Sequence, residues 1–257
     1  MRHISVVLAA LLLAAGIAQA QPRATGAAQR PPPHRPYAPV GLEIPPPPND
    51  PTFTAFRKEL AGIAKRRIFA ELAAVVARTF FWDRDFDGGF DPAKSGVENL
   101  ASAIGLEARE GAGWNRLAGF AAEPGATPIP LRIGVICGPP RAIYNEAALD
   151  RLLEMTKTEG RAWTYPRSTG VAVRAAPQAG SAVVETLGLH FVHVLGYDAT
   201  ENNAEPERTA WAHVATPTGK DGFVAPDVLR SPLGEQLCYE KDVIGRWHIS
   251  GYVGRGD

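Results

Sequence analysis

Three aspartates are the first residues in this chain whose types and spacing suggest chemistry. Asp83-Arg-Asp85-Phe-Asp87-Gly88 sets a carboxylate at every second position and then a glycine. A calcium-binding loop starts this way, because a hard cation collects several oxygen ligands and the glycine permits the sharp turn between them. Phe90 stands at the apolar eighth position of such a loop. The twelfth position, where a bidentate glutamate belongs, holds Lys94, and Pro92 falls in the second half. An ammonium group there opposes a cation. The competing reading is an aspartate-rich turn that caps Asp91-Pro92 or a helix near Ser95. Calcium at Asp83, Asp85 and Asp87 is the one cofactor the sequence raises.

The two cysteines are Cys137 and Cys238. Thiols outside the cytoplasm tend to pair, and each cysteine here sits in an apolar or aromatic setting, Val135-Ile-Cys137-Gly and Gln236-Leu-Cys238-Tyr. One disulfide is expected, with Cα atoms roughly 4.4–6.8 Å apart. A nucleophilic thiol at Cys137 with a histidine partner is the rival. Against it, the neighbours are Ile-Cys-Gly-Pro-Pro, and no histidine lies between His34 and His190. His190, His193, His213 and His248 fall in expected strands without acidic neighbours at metal-ligand spacing. No phosphate-cradling glycine loop and no Gly-x-Ser-x-Gly elbow is present.

The elements that must position these residues follow from the apolar pattern. Arg2 and His3 head an apolar run, Ile4 to Ile17, that is too short to span a bilayer and ends in Ala18-Gln-Ala20. Residues 1–20 read as a cleavable signal peptide with Gln21 as the mature terminus. Export to the periplasm or beyond is expected, with no stable membrane insertion. Residues 21–50 hold Pro31-Pro-Pro33 and Pro45-Pro-Pro-Pro48, which favour polyproline II and a semi-rigid spacer. Residues 51–160 read as a helical domain. Phe53, Phe56, Leu60 and Ile63 recur at spacings of three and four, as do Ile68, Leu72, Val75, Val76 and Phe80. Further helices are expected from Ser95 to Gly105, around Trp114 to Ala121, and from Glu146 to Lys157. Ile133 to Cys137 reads as extended.

After Gly160 the period changes. Val171–Arg174, Ala182–Val184, Leu189–Leu195, Trp211–Ala215 and Gly222–Val224 are short β-branched or aromatic runs between turn signals. A last pair, Gln236–Tyr239 and Trp247–Val253, looks like an added hairpin. Lys plus Arg equals Asp plus Glu at 27 each, so long-range attraction to nucleic acid is not expected.

These runs resemble a known family. Val171-Ala-Val-Arg174-Ala-Ala-Pro177 is similar to the opening strand and turn of bacterial SH3-like (SH3b) domains. Ala182 to Gly188, Trp211-Ala-His-Val214, Gly219-Lys-Asp-Gly222-Phe-Val224 and Leu229 resemble the strands that follow in that family. Phe223 replaces the usual tryptophan, and the Asp198–Thr209 loop is longer than usual. The whole chain also resembles exported SH3 domain-containing proteins of alphaproteobacteria, in Phe81-Trp-Asp-Arg-Asp85 and Leu237-Cys-Tyr239. The resemblance implies an α+β protein, with a helical N-terminal domain followed by a C-terminal SH3-like small β-barrel at 161–257 that carries the extra hairpin. It also implies binding of a cell-wall peptide or envelope protein rather than catalysis. Tyr165, Tyr197, Trp211 and Phe223 are the expected ligand-binding aromatics, with barrel core as the competing reading for Trp211 and Phe223. An envelope-acting hydrolase with its site in the helical domain is the alternative.

Overall fold

The computed structural model describes residues 35–83, 89–108, 111–130, 132–198 and 210–254. The expected signal peptide lies outside the described residues, as do Asp85, Asp87 and residues 199–209 of the long loop.

Helices form where the apolar spacing of three and four places them. Helix α1 (Pro51–Arg66) buries Phe53, Phe56, Leu60 and Ile63 along one face. Asp50 fixes its start by accepting from the amides of Thr52 and Phe53 at 2.8 and 3.2 Å. Pro51 adds to this, because its missing N–H is no loss in the first turn. Arg67 ends the helix in the left-handed region, φ 58°. Helix α2 (Phe69–Ala74) is a short continuation. Helix α3 (Gly96–Ile104) opens with a capping box, in which Ser95 and Glu98 each accept from the other's amide. Helices α4 (Ala112–Ala122) and α5 (Glu146–Thr156) bury Leu117 and Leu149 with Leu152.

The stretch expected as one helix over Ile68 to Phe80 divides. After α2 the chain becomes strand β2 (Val76–Asp83). Val76-Ala-Arg-Thr-Phe-Phe-Trp-Asp83 carries the β-branched and aromatic side chains that suit a pleated surface. Phe80 and Trp82 face the helices, while Phe81 between them packs on the opposite side. Apolar positions at 76 and 80 satisfy both a helical and an alternating pattern, so spacing alone did not separate them.

Three sheets organise the rest. A two-stranded pair joins β1 (Leu42–Glu43) to β5 (Ile143–Tyr144). A five-stranded sheet has the order β2-β14-β13-β4-β3, with β3 at Thr127–Pro128, β4 at Ile136–Gly138, β13 at Gln236–Lys241 and β14 at Trp247–Val253. A seven-stranded sheet has the order β12-β6-β9-β10-β11-β7-β8. Its strands are β6 (Trp163–Pro166), β7 (Val171–Arg174), β8 (Val183–Leu187), β9 (Val192–Asp198), β10 (Trp211–Ala215), β11 (Asp221–Val224) and β12 (Leu229–Arg230).

This architecture corrects the expected α+β arrangement of a helical N-terminal domain and a small SH3-like barrel. The fold is mostly β, with five helices among the described residues. The C-terminal hairpin is not an appendage of a barrel. It forms the middle of the five-stranded sheet, with β14 parallel to β2 and β13 antiparallel to β4. The reason is burial. Leu237, Tyr239, Ile249 and Tyr252 fill one core with α1, α3 and α4, and each is at most 1% exposed. The seven-stranded sheet is thus an insertion between β4 and β13. Its own core holds Val173, Leu187, Val192, Val214 and Val224. A third cluster, with Trp163, Tyr165 and Phe191, lies under α5.

Cys137 and Cys238 face each other across β4 and β13 and form a disulfide, Cα atoms 4.0 Å apart. The separation falls just below the usual disulfide range of roughly 4.4–6.8 Å, and the two residues are direct cross-strand partners. The bridge joins the points where the chain leaves for the insertion and returns from it. Glu123, beyond the end of α4 and 8% exposed, also links the two parts. It accepts from Arg167 at 3.2 Å and pairs with Arg230. Within the proline-rich stretch, residues 37–44 lie against the insertion. The Tyr37 hydroxyl donates to the Ala215 carbonyl at 3.0 Å, its ring meets Trp163 edge-on, and Val40 is buried.

Candidate binding surface

Strand pairing in the seven-stranded sheet builds a row of side chains on its outer face. Directly opposed residues share a face, and the register runs Val183, Arg174, Phe223, His213, Gly196 across five strands. Trp211 stands two residues before His213 and so projects from the same face. The alternate residues Ala212, Val214 and Val224 point into the core. A β-bulge at His213/Val214 resets the pairing of β10 with β9 and brings Gly196 beside His213.

The row is ordered by its own contacts. The imidazole of His213 stacks on Phe223, ring centroids 4.7 Å apart and planes 16° from parallel. His213 Nε2 lies 3.1 Å from the Asp221 carboxylate, which holds the ring from its edge. Arg174 donates to the Ser181 carbonyl at 2.7 Å, so its guanidinium is held at one end. Val183 is 53% exposed, and a side chain at Gly196 would meet nothing within 4 Å. The result is a shallow aromatic strip with an open floor, a cationic end at Arg174 and a carboxylate beside His213 at Asp221. Rigid aromatic groups of this kind give contact area at low entropic cost.

The structure separates the four expected aromatics. Trp211 and Phe223 share the outer strip and are half-buried. Tyr197 opposes Ala212 and packs on the core side of the sheet. Tyr165 is 3% exposed in the cluster under α5, and burial raises its phenol pKa. His213, Arg174 and Asp221 belong to the strip but were not expected. The Trp211-Ala-His213 alternation was the available signal, while Arg174 and Asp221 needed the register.

The other candidate chemistry is placed as follows. Asp83 ends β2, and its carboxylate meets Arg132 at 3.4 Å. Asp85 and Asp87, its expected partners for calcium, lie outside the described residues. Among the described residues no group of three histidine, cysteine, aspartate or glutamate side chains is arranged to hold a metal. His193 stacks on buried Trp163, His248 meets Asp242 at 3.1 Å, and His190 contacts the Phe191 carbonyl at 3.1 Å. No helix among the described residues is long and apolar enough to cross a membrane.

Compared with protein-family models, with curated proteins and with solved structures, the chain gives no match.

Proposed function

We propose that this is an exported binding or scaffolding protein of the bacterial envelope, and that the outer strip of the seven-stranded sheet holds its ligand. The observation that carries the reading is the strip itself. Trp211, His213 and Phe223 stand side by side on one sheet face and, among the described residues, belong to none of the core clusters. A protein that folds alone gains little by leaving aromatic rings in that position, whereas a binder uses them as anchors. The SH3b-like sequence features of residues 171–229 support the same reading. So do the disulfide, which favours an oxidising compartment, and the signal-like start of the chain. A cell-wall peptide or an extended segment of an envelope protein suits a shallow strip better than a compact small molecule, which needs concavity.

The test is retention on purified cell wall and on envelope extract, measured together with the melting temperature. Trp211→Ala and Phe223→Ala should each weaken retention about tenfold or more while the fold persists. Tyr197→Ala, on the opposite face, should affect stability first. Retention unchanged in the two outer-face variants would defeat the proposal.

A further inference from the structure

A second site lies in the five-stranded half, away from the aromatic strip and independent of it. A cavity of about 340 Å³ opens beside the ends of β2 and β14. That volume lies within the roughly 300–1,000 Å³ typical of small-molecule sites. Pro128, Ile129, Pro130 and Val253 give it apolar walls.

Its charged groups, among the described residues, are two arginines and one aspartate. Arg141 donates through Nε to Gln236 Oε1 at 3.0 Å. Gln236 is only 3% exposed and is itself anchored, its Nε2 donating to the Pro139 carbonyl at 2.6 Å. This chain of bonds engages only Nε of Arg141. Its two terminal amino groups keep their N–H donors, in the fork that matches a carboxylate. Arg132 lies over the Phe81 ring, 3.7 Å from its centroid, and reaches Asp83 at 3.4 Å. Two guanidiniums against one carboxylate leave a single net positive charge in the lining. A buried glutamine used to orient an otherwise exposed arginine is costly unless that orientation serves something, because ordering a long side chain loses rotamer entropy.

We infer that this cavity binds a small monocarboxylate with a compact apolar body, its carboxylate on Arg141 and its body against the proline-lined wall. N-acylated amino acids and peptide C-termini have this chemistry, and so do simple aromatic acids.

Calorimetric titration of the full mature protein with N-acetyl-valine, N-acetyl-valinamide and benzoate tests it. N-acetyl-valine should bind, and the amide, which lacks the charge, should bind at least about tenfold more weakly. Arg141→Gln should weaken the acid by a similar factor and leave the melting temperature within a degree or two, since this side chain is exposed. Arg141→Lys should recover part of the loss, as it restores charge without the fork. Binding of benzoate but not of N-acetyl-valine would keep the carboxylate site and assign it a non-peptide source. The inference is overturned if neither acid binds up to millimolar concentration, if acid and amide bind alike, or if Arg141→Gln leaves acid affinity unchanged.

Discussion

Removal of the disulfide tests the insertion topology directly. The bridge closes a ring of 101 residues that contains the entire seven-stranded sheet. Without it, the denatured chain regains the freedom to separate the two ends of that ring. The chain-entropy relation puts this at about 4–5 kcal/mol for a ring of roughly one hundred residues. Both cysteines are fully buried beside Val135, with Phe81, Ile129 and Val253 packed on them. Cys137→Ala with Cys238→Ala therefore adds a small packing loss to the entropic one. Residual structure in the denatured state acts in the other direction. A net loss of about 3–5 kcal/mol is expected. Guanidinium unfolding, oxidised against the double variant, measures it. The tryptophans divide usefully: Trp163 and Trp211 report on the insertion, and Trp82, Trp114 and Trp247 on the five-stranded half. The bridge holds the base of the insertion to β4 and β13, so single-tryptophan versions should unfold together when it is intact and separate when it is absent. A loss below about 1 kcal/mol, with coincident transitions in both forms, would refute the reasoning and leave strand pairing and the Glu123 ion pairs as the fastening.

Other outcomes follow from named contacts. Tyr165→Ala should cost about 3–5 kcal/mol, as a buried aromatic does, whereas Phe223→Ala should cost much less; chemical denaturation of the pair checks the assignment of core and strip. Glu123→Ala leaves Arg230, whose side chain is 14% exposed, without its carboxylate and should cost about 3 kcal/mol, the low end for a broken buried pair because Arg167 is 43% exposed; equilibrium unfolding gives the value. Asp50 and Asp242 are both held below the usual carboxylate range, Asp50 chiefly by its hydrogen bond with Lys241 and Asp242 chiefly by the backbone N–H of Arg246. Depressed folded-state values stabilise the fold above the unfolded value of 3.8, and this support is lost as pH falls below it. Melting temperature should therefore drop from pH 5 to pH 2, and less steeply in Asp50→Asn; equal slopes would contradict the assignment. Burial raises the phenol pKa of Tyr239 and Tyr37 above the model-compound value of 10.0. The unfolded chain thus ionises first, and stability should decline as pH rises past 10, a loss that Tyr239→Phe should lessen in an alkaline melting series.

Some of this molecule was open to reading from residue order alone. The helix start near Ser95, the helical spacing of Phe53 to Ile63, and the alternation in Val171 to Arg174 are local signals. A side chain capping an amide three residues on, or turning in or out of a pleat, obeys rules that act within one or two turns of chain. The pairing of Cys137 with Cys238 was also legible, because the chain has two cysteines, each in an apolar setting, and they leave few alternatives. Of the candidate site, Trp211 and Phe223 were singled out as aromatics of short strands, and both are half-buried on one sheet face. Tyr165 and Tyr197 were grouped with them, since sequence gives no register between β6, β9 and β10.

The tertiary structure alone decided how distant segments are shared. Nothing in Gln236 to Val253 says whether that hairpin closes the nearest sheet or crosses to another. The choice falls to the larger apolar burial, and Leu237, Tyr239, Ile249 and Tyr252 find it under α1, α3 and α4. The same long-range pairing turned the end of an expected helix into β2, because a parallel neighbour, β14, was there to take its backbone hydrogen bonds. It also set His213 on Phe223 and Gln236 behind Arg141. Residues separated by tens of positions meet only once register, a bulge and a shared core have fixed where each strand lies. Residue order carried the kinds of element and the bridge between the cysteines; packing energy summed over the whole chain assigned each element its neighbours.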